Sequence, residues 1–174
     1  MWLSKEDLSE EGNECVLYGE LFTTYGYVIN EIKSKTNNNN LKLTLSTRQD
    51  LLFPSSTTVN ALSLISPSAI IKDDVILGGD MFGIRVNGEF NNEYLSYLFN
   101  SVYRNKLAQY AKGSTIIHLH YNEIKDVEIE LPLIDVQNRV VKILTLLQKK
   151  LVCETSLKLA YQKEKSYLLQ NLFI

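Results

Sequence analysis

Short apolar runs separated by polar turns fill the first 130 or so residues of this chain. Cys15 to Phe22 (CVLYGELF) and Tyr25 to Ile32 (YGYVINEI) read as two early strands. Leu41, Leu43 and Leu45 alternate with Lys42, Thr44 and Ser46, the pattern of a half-buried strand. The low-complexity run Lys35 to Asn40 before it reads as a mobile loop. Leu51-Leu52-Phe53 form an apolar strand that empties into a hydroxyl-rich loop, Pro54 to Thr58. Ala69–Lys72, Val75–Leu77 and Met81–Val86 predict three more strands, with Gly78-Gly79-Asp80 as a turn. Asn91-Asn92-Glu93 can cap a helix that runs on to Ala111, with Leu95, Leu98, Val102 and Leu107 near one face and Gly113 as a stop signal. His118-Leu119-His120 and the alternating Val127 to Leu131 predict two last strands, closed by Pro132. Ser4 before Lys5-Glu6-Asp7 reads as a helix cap in a polar lead-in.

The pattern then changes period. From Asp135 to Phe173 there is neither Gly nor Pro, which predicts one helix of about 58 Å at 1.5 Å per residue. Two heptad seams run along it. One is Val140, Leu147, Glu154, Tyr161 and Leu168; the other is Leu144, Leu151, Lys158, Lys165 and Leu172. An antiparallel copy centred near Ser156 sets Val140 against Leu172, Leu144 against Leu168, and Leu151 against Tyr161. It also brings Glu154 opposite Lys158, whereas a parallel pair would stack each on its own like charge. Leu147 against Lys165 is the poor match, which a snorkelling lysine tolerates. These heptads predict an antiparallel coiled coil; a helix folded back on its own domain is the competing arrangement. The fold class is therefore α+β: a small mixed domain over residues 1–132 and a long helix over 133–174 that dimerises as a coiled coil.

Composition alters this picture little. Of 174 residues nearly half are apolar, enough for a core, and ten are tyrosines, which suit wet interfaces and β-rich cores alike. The formal charge of −2 is unevenly spread. Residues 1–26 carry one lysine against six acids, a net of −5, whereas 134–174 carry a net of +4. Cys15 and Cys153 lie far apart with no metal or disulfide spacing, and no apolar run reaches membrane length. Together with the lack of a signal-peptide pattern, this predicts a soluble cytoplasmic protein with free thiols and no membrane partner.

A catalytic reading finds little support. His118 and His120 lie two apart on one strand and so face one way, without a visible third metal ligand. There is no phosphate-binding glycine loop and no nucleophile elbow, and no cofactor is expected. Acid pairs such as Asp73-Asp74 and Glu128/Glu130 read as solvated surface. Three loops offer what DNA contacts need. They are Lys33 to Thr36 with the asparagines that follow, Pro54 to Thr58, and Lys112 to Thr115, whose Gly113 allows close backbone approach. Such loops are ordinary turns in most proteins; three on one small domain with no catalytic set point to double-stranded DNA. A coiled-coil adaptor whose head binds protein is the other reading.

Five segments in order resemble the specificity subunits of type I restriction-modification systems. Tyr18-Gly19-Glu20-Leu21 with Thr23-Thr24-Tyr25-Gly26 is similar to an entry motif of these target recognition domains. Asp50-Leu51-Leu52-Phe53-Pro54-Ser55-Ser56, with Gly78-Gly79-Asp80 after it, resembles another segment. Gly113 to His118, then Ile129, Leu131, Pro132 and Gln137 of an "I-x-L-P-x-x-x-x-Q" signature, and Lys165 to Phe173 complete the series. Val136 stands where that signature usually has Glu, and an N-terminal segment of the family is missing.

The resemblance implies a non-catalytic subunit that reads DNA for modification (methyltransferase) and restriction subunits. Each recognition domain would read half of a bipartite target, and antiparallel helices would set the spacing. The family subunit usually has two recognition domains and two long helices, and this chain has one of each. It is a half-sized subunit that forms a homodimer, or a piece of a longer one paired with a second recognition half; a fragment of a fused methyltransferase-nuclease is a remote third option. By the family pattern the DNA-facing residues are Lys35, Ser55, Ser56, Thr57, Lys112, Ser114, Thr115 and His118. Lysines would hold phosphates and hydroxyls would reach base edges.

Overall fold

The structure, a computed structural model, describes residues 3–38 and 44–172. The chain divides into two compact units, Met1–Ile134 and Asp135–Ile174. In chain order the first unit holds β1 (Leu8–Ser9), β2 (Asn13–Val16), α1 (Glu20–Thr23), β3 (Val28–Ile29), β4 (Ser34–Thr36) and β5 (Thr44–Leu45). Next come β6 (Asp50–Pro54), β7 (Ser56–Thr57), α2 (Ala61–Leu64), β8 (Ser68–Ile70), β9 (Ile76–Leu77) and β10 (Met81–Arg85). The last elements are α3 (Asn92–Asn100), α4 (Arg104–Ala108), β11 (Ile117–His118) and α5 (Tyr121–Ile124). The second unit is the single helix α6 (Ile134–Asn171).

Three sheets organise the first unit. Five strands run in the order β1-β4-β2-β9-β5, four in the order β10-β6-β8-β3, and β11 pairs with β7 alone. Most neighbours are antiparallel, but β2 with β9 and β3 with β8 are parallel, so the sheets are mixed.

Strand β6 is buried from Asp50 to Pro54, and its side chains alternate between two cores. Leu51 and Phe53 join Leu64, Ile65, Leu95, Phe99, Leu107 and Leu119. Leu52 joins Val16, Leu21, Ile29, Ile70 and Val75. Phe53 stacks on Phe82 with ring centres 5.0 Å apart and meets Phe99 at 6.0 Å. Burial of one such ring contributes about 2–3 kcal/mol. Helix α3 is capped by Asn91, whose Oδ1 accepts the Tyr94 N–H, and is fastened to the four-stranded sheet by polar side chains. The Asn92 amide lies 3.1 to 3.2 Å from the carbonyls of Arg48, Asp50 and Ile70. Ser96 Oγ reaches the carbonyls of Tyr27 (2.6 Å) and Pro67 (2.9 Å).

Several predicted elements take another form. The run Cys15 to Phe22 leaves the sheet after Val16, because the Glu20 carboxylate accepts the Leu17 N–H and starts the turn of α1. Of Tyr25 to Ile32 only Val28–Ile29 is a strand. Ser34–Thr36 is strand β4 rather than loop, paired with Asn13–Cys15 and with Leu8–Ser9. The expected strand at Leu41 to Ser46 is seen as Thr44–Leu45; Leu41 to Leu43, like Asn39 and Asn40, lie outside the described residues. The expected helix to Ala111 breaks at Ser101, whose Oγ bonds back to the Tyr97 carbonyl (2.6 Å), and Val102 is exposed. Val127 to Leu131 alternates in burial as expected, but pairs with no strand among the described residues. Lys106 Nζ on the Glu128 carbonyl and the Glu130 N–H on Tyr103 Oη hold it instead.

Helix α6 spans 38 residues. Of its predicted seam positions, Val140 and Leu144 are half-buried. Leu147, Leu151, Glu154, Lys158, Tyr161, Lys165, Leu168 and Leu172 are exposed. Glu154 lies 3.8 Å from Lys150 along the same helix. Phe173 is outside the described residues. No helix among the described residues is long and apolar enough to cross a membrane.

Asp50 opens β6 and is nearly fully buried. Burial pushes its carboxyl up, but hydrogen bonds from the Arg85 guanidinium (2.8 and 3.1 Å) and from the Thr47 amide and hydroxyl outweigh it. The group therefore sits below the usual carboxylate range. A depressed folded pKa adds stability above the unfolded value of about 3.9, and that stability is lost as pH falls through the folded value. We expect Asp50→Asn to destabilise the protein by about 1–2 kcal/mol at pH 7, measured by urea unfolding, with the gap to wild type closing below about pH 4.

Candidate nucleic-acid interface

Two of the three loops chosen from the sequence meet in the small β7–β11 ribbon. Thr57 pairs with Ile117 and Ser56 with His118. The segment Pro54 to Thr58 is thus largely strand, not loop. Ser55, at its root, is 7 % exposed. Its N–H donates to the Asp80 carbonyl (2.7 Å), and its carbonyl accepts the Leu119 N–H (3.0 Å). Leu119 is fully buried, so His118 and His120 on either side of it face outward together. Their rings lie 6.1 Å apart and nearly parallel.

A hairpin turn precedes β11. The Lys112 N–H donates to the His118 carbonyl (2.9 Å), and the His118 N–H donates back to the Lys112 carbonyl (2.7 Å). Gly113 sits at φ +121°, and a Cβ there would lie 2.0 Å from the Ile116 carbonyl oxygen. The glycine that reads as a helix stop is therefore what lets this turn close. Ser114, Thr115 and Ile116 are left exposed at the tip. The exposed Lys112 sets its Nζ 3.8 Å from Oε1 of the half-buried Glu123, a long pairing worth about 1 kcal/mol or less, so its ammonium can exchange partners. Glu123 is already engaged, since its Oε2 accepts the His120 N–H (2.7 Å) at the start of α5.

On the other strand, Thr57 Oγ1 accepts the Val59 N–H (3.2 Å). Asn60 caps α2 by accepting the Ser63 N–H (2.8 Å), and Ser63 Oγ donates to the Asn60 carbonyl (2.7 Å). The entry to β11 is thereby pinned by main-chain bonds, and the exit from β7 by the side chains of Thr57, Asn60 and Ser63. Ser56, Thr57, Lys112, Ser114, Thr115 and His118 lie on or beside it, the first two half-buried and the rest exposed. Lys35 does not join them: it lies on β4 in the five-stranded sheet, opposite Glu14 and Ser9. Exposed Val59 and Ile116 went unnoticed in the sequence, where one aliphatic beside a row of hydroxyls is a faint signal.

Elsewhere the head holds little reactive chemistry. No group of three or more His, Cys, Asp or Glu side chains that could hold a metal occurs among the described residues. Cys15 is buried, and burial beside Glu20 pushes its thiol up to about 11, which makes it a poor nucleophile.

The profile of the type I restriction modification DNA specificity domain family matches residues 5–167. The chain belongs to this family. Solved structures agree in fold. The type I restriction-modification S subunit from M. genitalium superposes with a TM-score of 0.57 at 16 % identity, over 98 % of this chain and 41 % of that one. A chain from a structure addressing complex assembly and conformational transition of the type I R-M system gives 0.60 at 16 % identity, over 97 % and 38 %. The HsdS subunit from Thermoanaerobacter tengcongensis gives 0.56 at 14 % identity, over 88 % and 34 %. The chain thus spans about two-fifths or less of the length of these structures. No curated protein matches it significantly.

The turn at Gly113 provides a local test. Gly113→Ala should open the hairpin, raising hydrogen exchange at the Lys112 and His118 amides about tenfold, or roughly 1.4 kcal/mol, while the Leu51 to Phe53 amides keep their protection.

Proposed function

We propose that this chain recognises a DNA sequence, without catalysing a reaction, as the specificity component of a type I restriction-modification complex. Membership of the DNA specificity domain family across both head and helix, residues 5–167, carries this reading. The head reads one half of a bipartite target. Ser56, Ser114 and Thr115 reach base edges, while Lys112 and His118 hold phosphates. Thr57 shares the face of Ile117, which packs on the core, and its Oγ1 supports the turn at Val59. Ser55 is too buried to join them, and Lys35 belongs to another sheet.

Helix α6 acts as spacer and docking element for modification and restriction subunits. Its exposed seam from Leu147 to Leu172 supports pairing with an antiparallel helix, supplied by a second copy of this chain or by a second recognition half. Two copies would make the target palindromic, whereas two different halves would not.

Two measurements test the reading. In a mobility shift with the modification subunit present, Lys112→Ala with Ser114→Ala should weaken binding about tenfold or more and flatten its salt dependence. Unchanged binding removes the ribbon as reader. In light scattering, the chain should behave as a dimer and Leu151→Lys as a monomer; a wild-type monomer excludes self-pairing.

A further inference from the structure

Val59 and Ile116 stand at one end of the ribbon, where the chain leaves β7 and enters β11. Val59 is 72 % exposed and Ile116 49 %. Neither belongs to the clusters that form the core of the head. Their neighbours in sequence are hydroxyl side chains, Thr57, Thr58, Ser114 and Thr115. Both are displayed from fixed backbone. The Val59 N–H is bonded to Thr57 Oγ1, and the Ile116 carbonyl closes over Gly113. β-branched side chains keep few rotamers, so their methyl groups are held in place as well.

A two-stranded ribbon fits the major groove of B-DNA, about 12 Å wide, where thymine alone among the bases presents a methyl group. Hydroxyls donate and accept equally well and so discriminate weakly between base edges. An aliphatic tip does the converse: it gains only where a methyl group meets it, and it leaves polar edges unsatisfied. The ribbon combines both kinds of side chain at one end, with Lys112 and His118 at its flank.

We propose that Val59 and Ile116 pack against a thymine 5-methyl group, so that the half-site read by this head contains an A·T pair opposite the ribbon tip. This rests on the DNA-reading function proposed above. The full chain, assembled with the modification subunit, is used to select bound sites from a random-sequence duplex library. Each thymine of the enriched site is then replaced by uracil, which lacks only the methyl group. One replacement should weaken binding by about threefold to tenfold. Val59→Ala with Ile116→Ala should bind the thymine and uracil sites equally, with an unchanged melting temperature. An enriched site at which no uracil matters, or a difference that survives in the double variant, overturns the methyl contact and leaves DNA reading intact. Loss of subunit assembly in the double variant makes the pair a protein contact and also overturns it. Failure to enrich any sequence overturns both.

Discussion

The head depends on a strand that has no solvent face. Because β6 is buried on both sides, Leu51 and Phe53 must be satisfied by one set of partners and Leu52 by another. This requirement places α2 to α5 on one side, and α1 with the parallel pair β2–β9 of the five-stranded sheet on the other. It also places the polar problem at the ends of the strand, where backbone and side chains must find partners without water. At the entry, Asp50 satisfies its carboxylate with Arg85 and Thr47. At the exit, Ser55 gives its N–H to Asp80 and its carbonyl to Leu119. The second arrangement delivers the chain into the ribbon, so the candidate reading surface is a direct continuation of the core.

What was legible in the sequence follows from how local each signal is. Leu51-Leu52-Phe53, the Asn91 cap and the long run without Gly or Pro are strong local patterns, and strand, cap and helix lie where those patterns put them. The α1 turn was not visible, because Leu21 and Phe22 are as apolar as strand residues. The deciding bond runs from the Leu17 amide to Glu20, a contact that alternation cannot reveal. The break at Ser101 was missed for a similar reason. A serine inside a helical pattern carries no sign that its hydroxyl will turn back on Tyr97.

The candidate site divides along the same line. The residue types at Ser56, Thr57, Lys112 and Ser114 could be picked out from the chain, but their meeting could not. Residues 56 and 118 become neighbours only through a two-residue antiparallel pairing. Nothing in the asparagine-rich stretch signalled that Lys35 would be drawn into a different sheet by its pairing with Glu14. Asp50 stood within a recognisable segment beside the serines, yet its work is to anchor a strand, not to meet a ligand.

The ribbon is held almost entirely by main-chain bonds: Lys112 with His118, Thr57 with Ile117, Ser55 with Leu119. Apart from Thr57, whose Oγ1 holds the Val59 N–H, its surface side chains contribute little to holding it closed, and the turn depends on the absence of a side chain at Gly113. If the ribbon reads DNA as proposed, a scaffold of this kind separates what folds from what selects. New sequence preferences could arise by exchanging a few surface side chains while the frame beneath stays intact, so such a domain can drift among targets without passing through unfolded intermediates in its evolution.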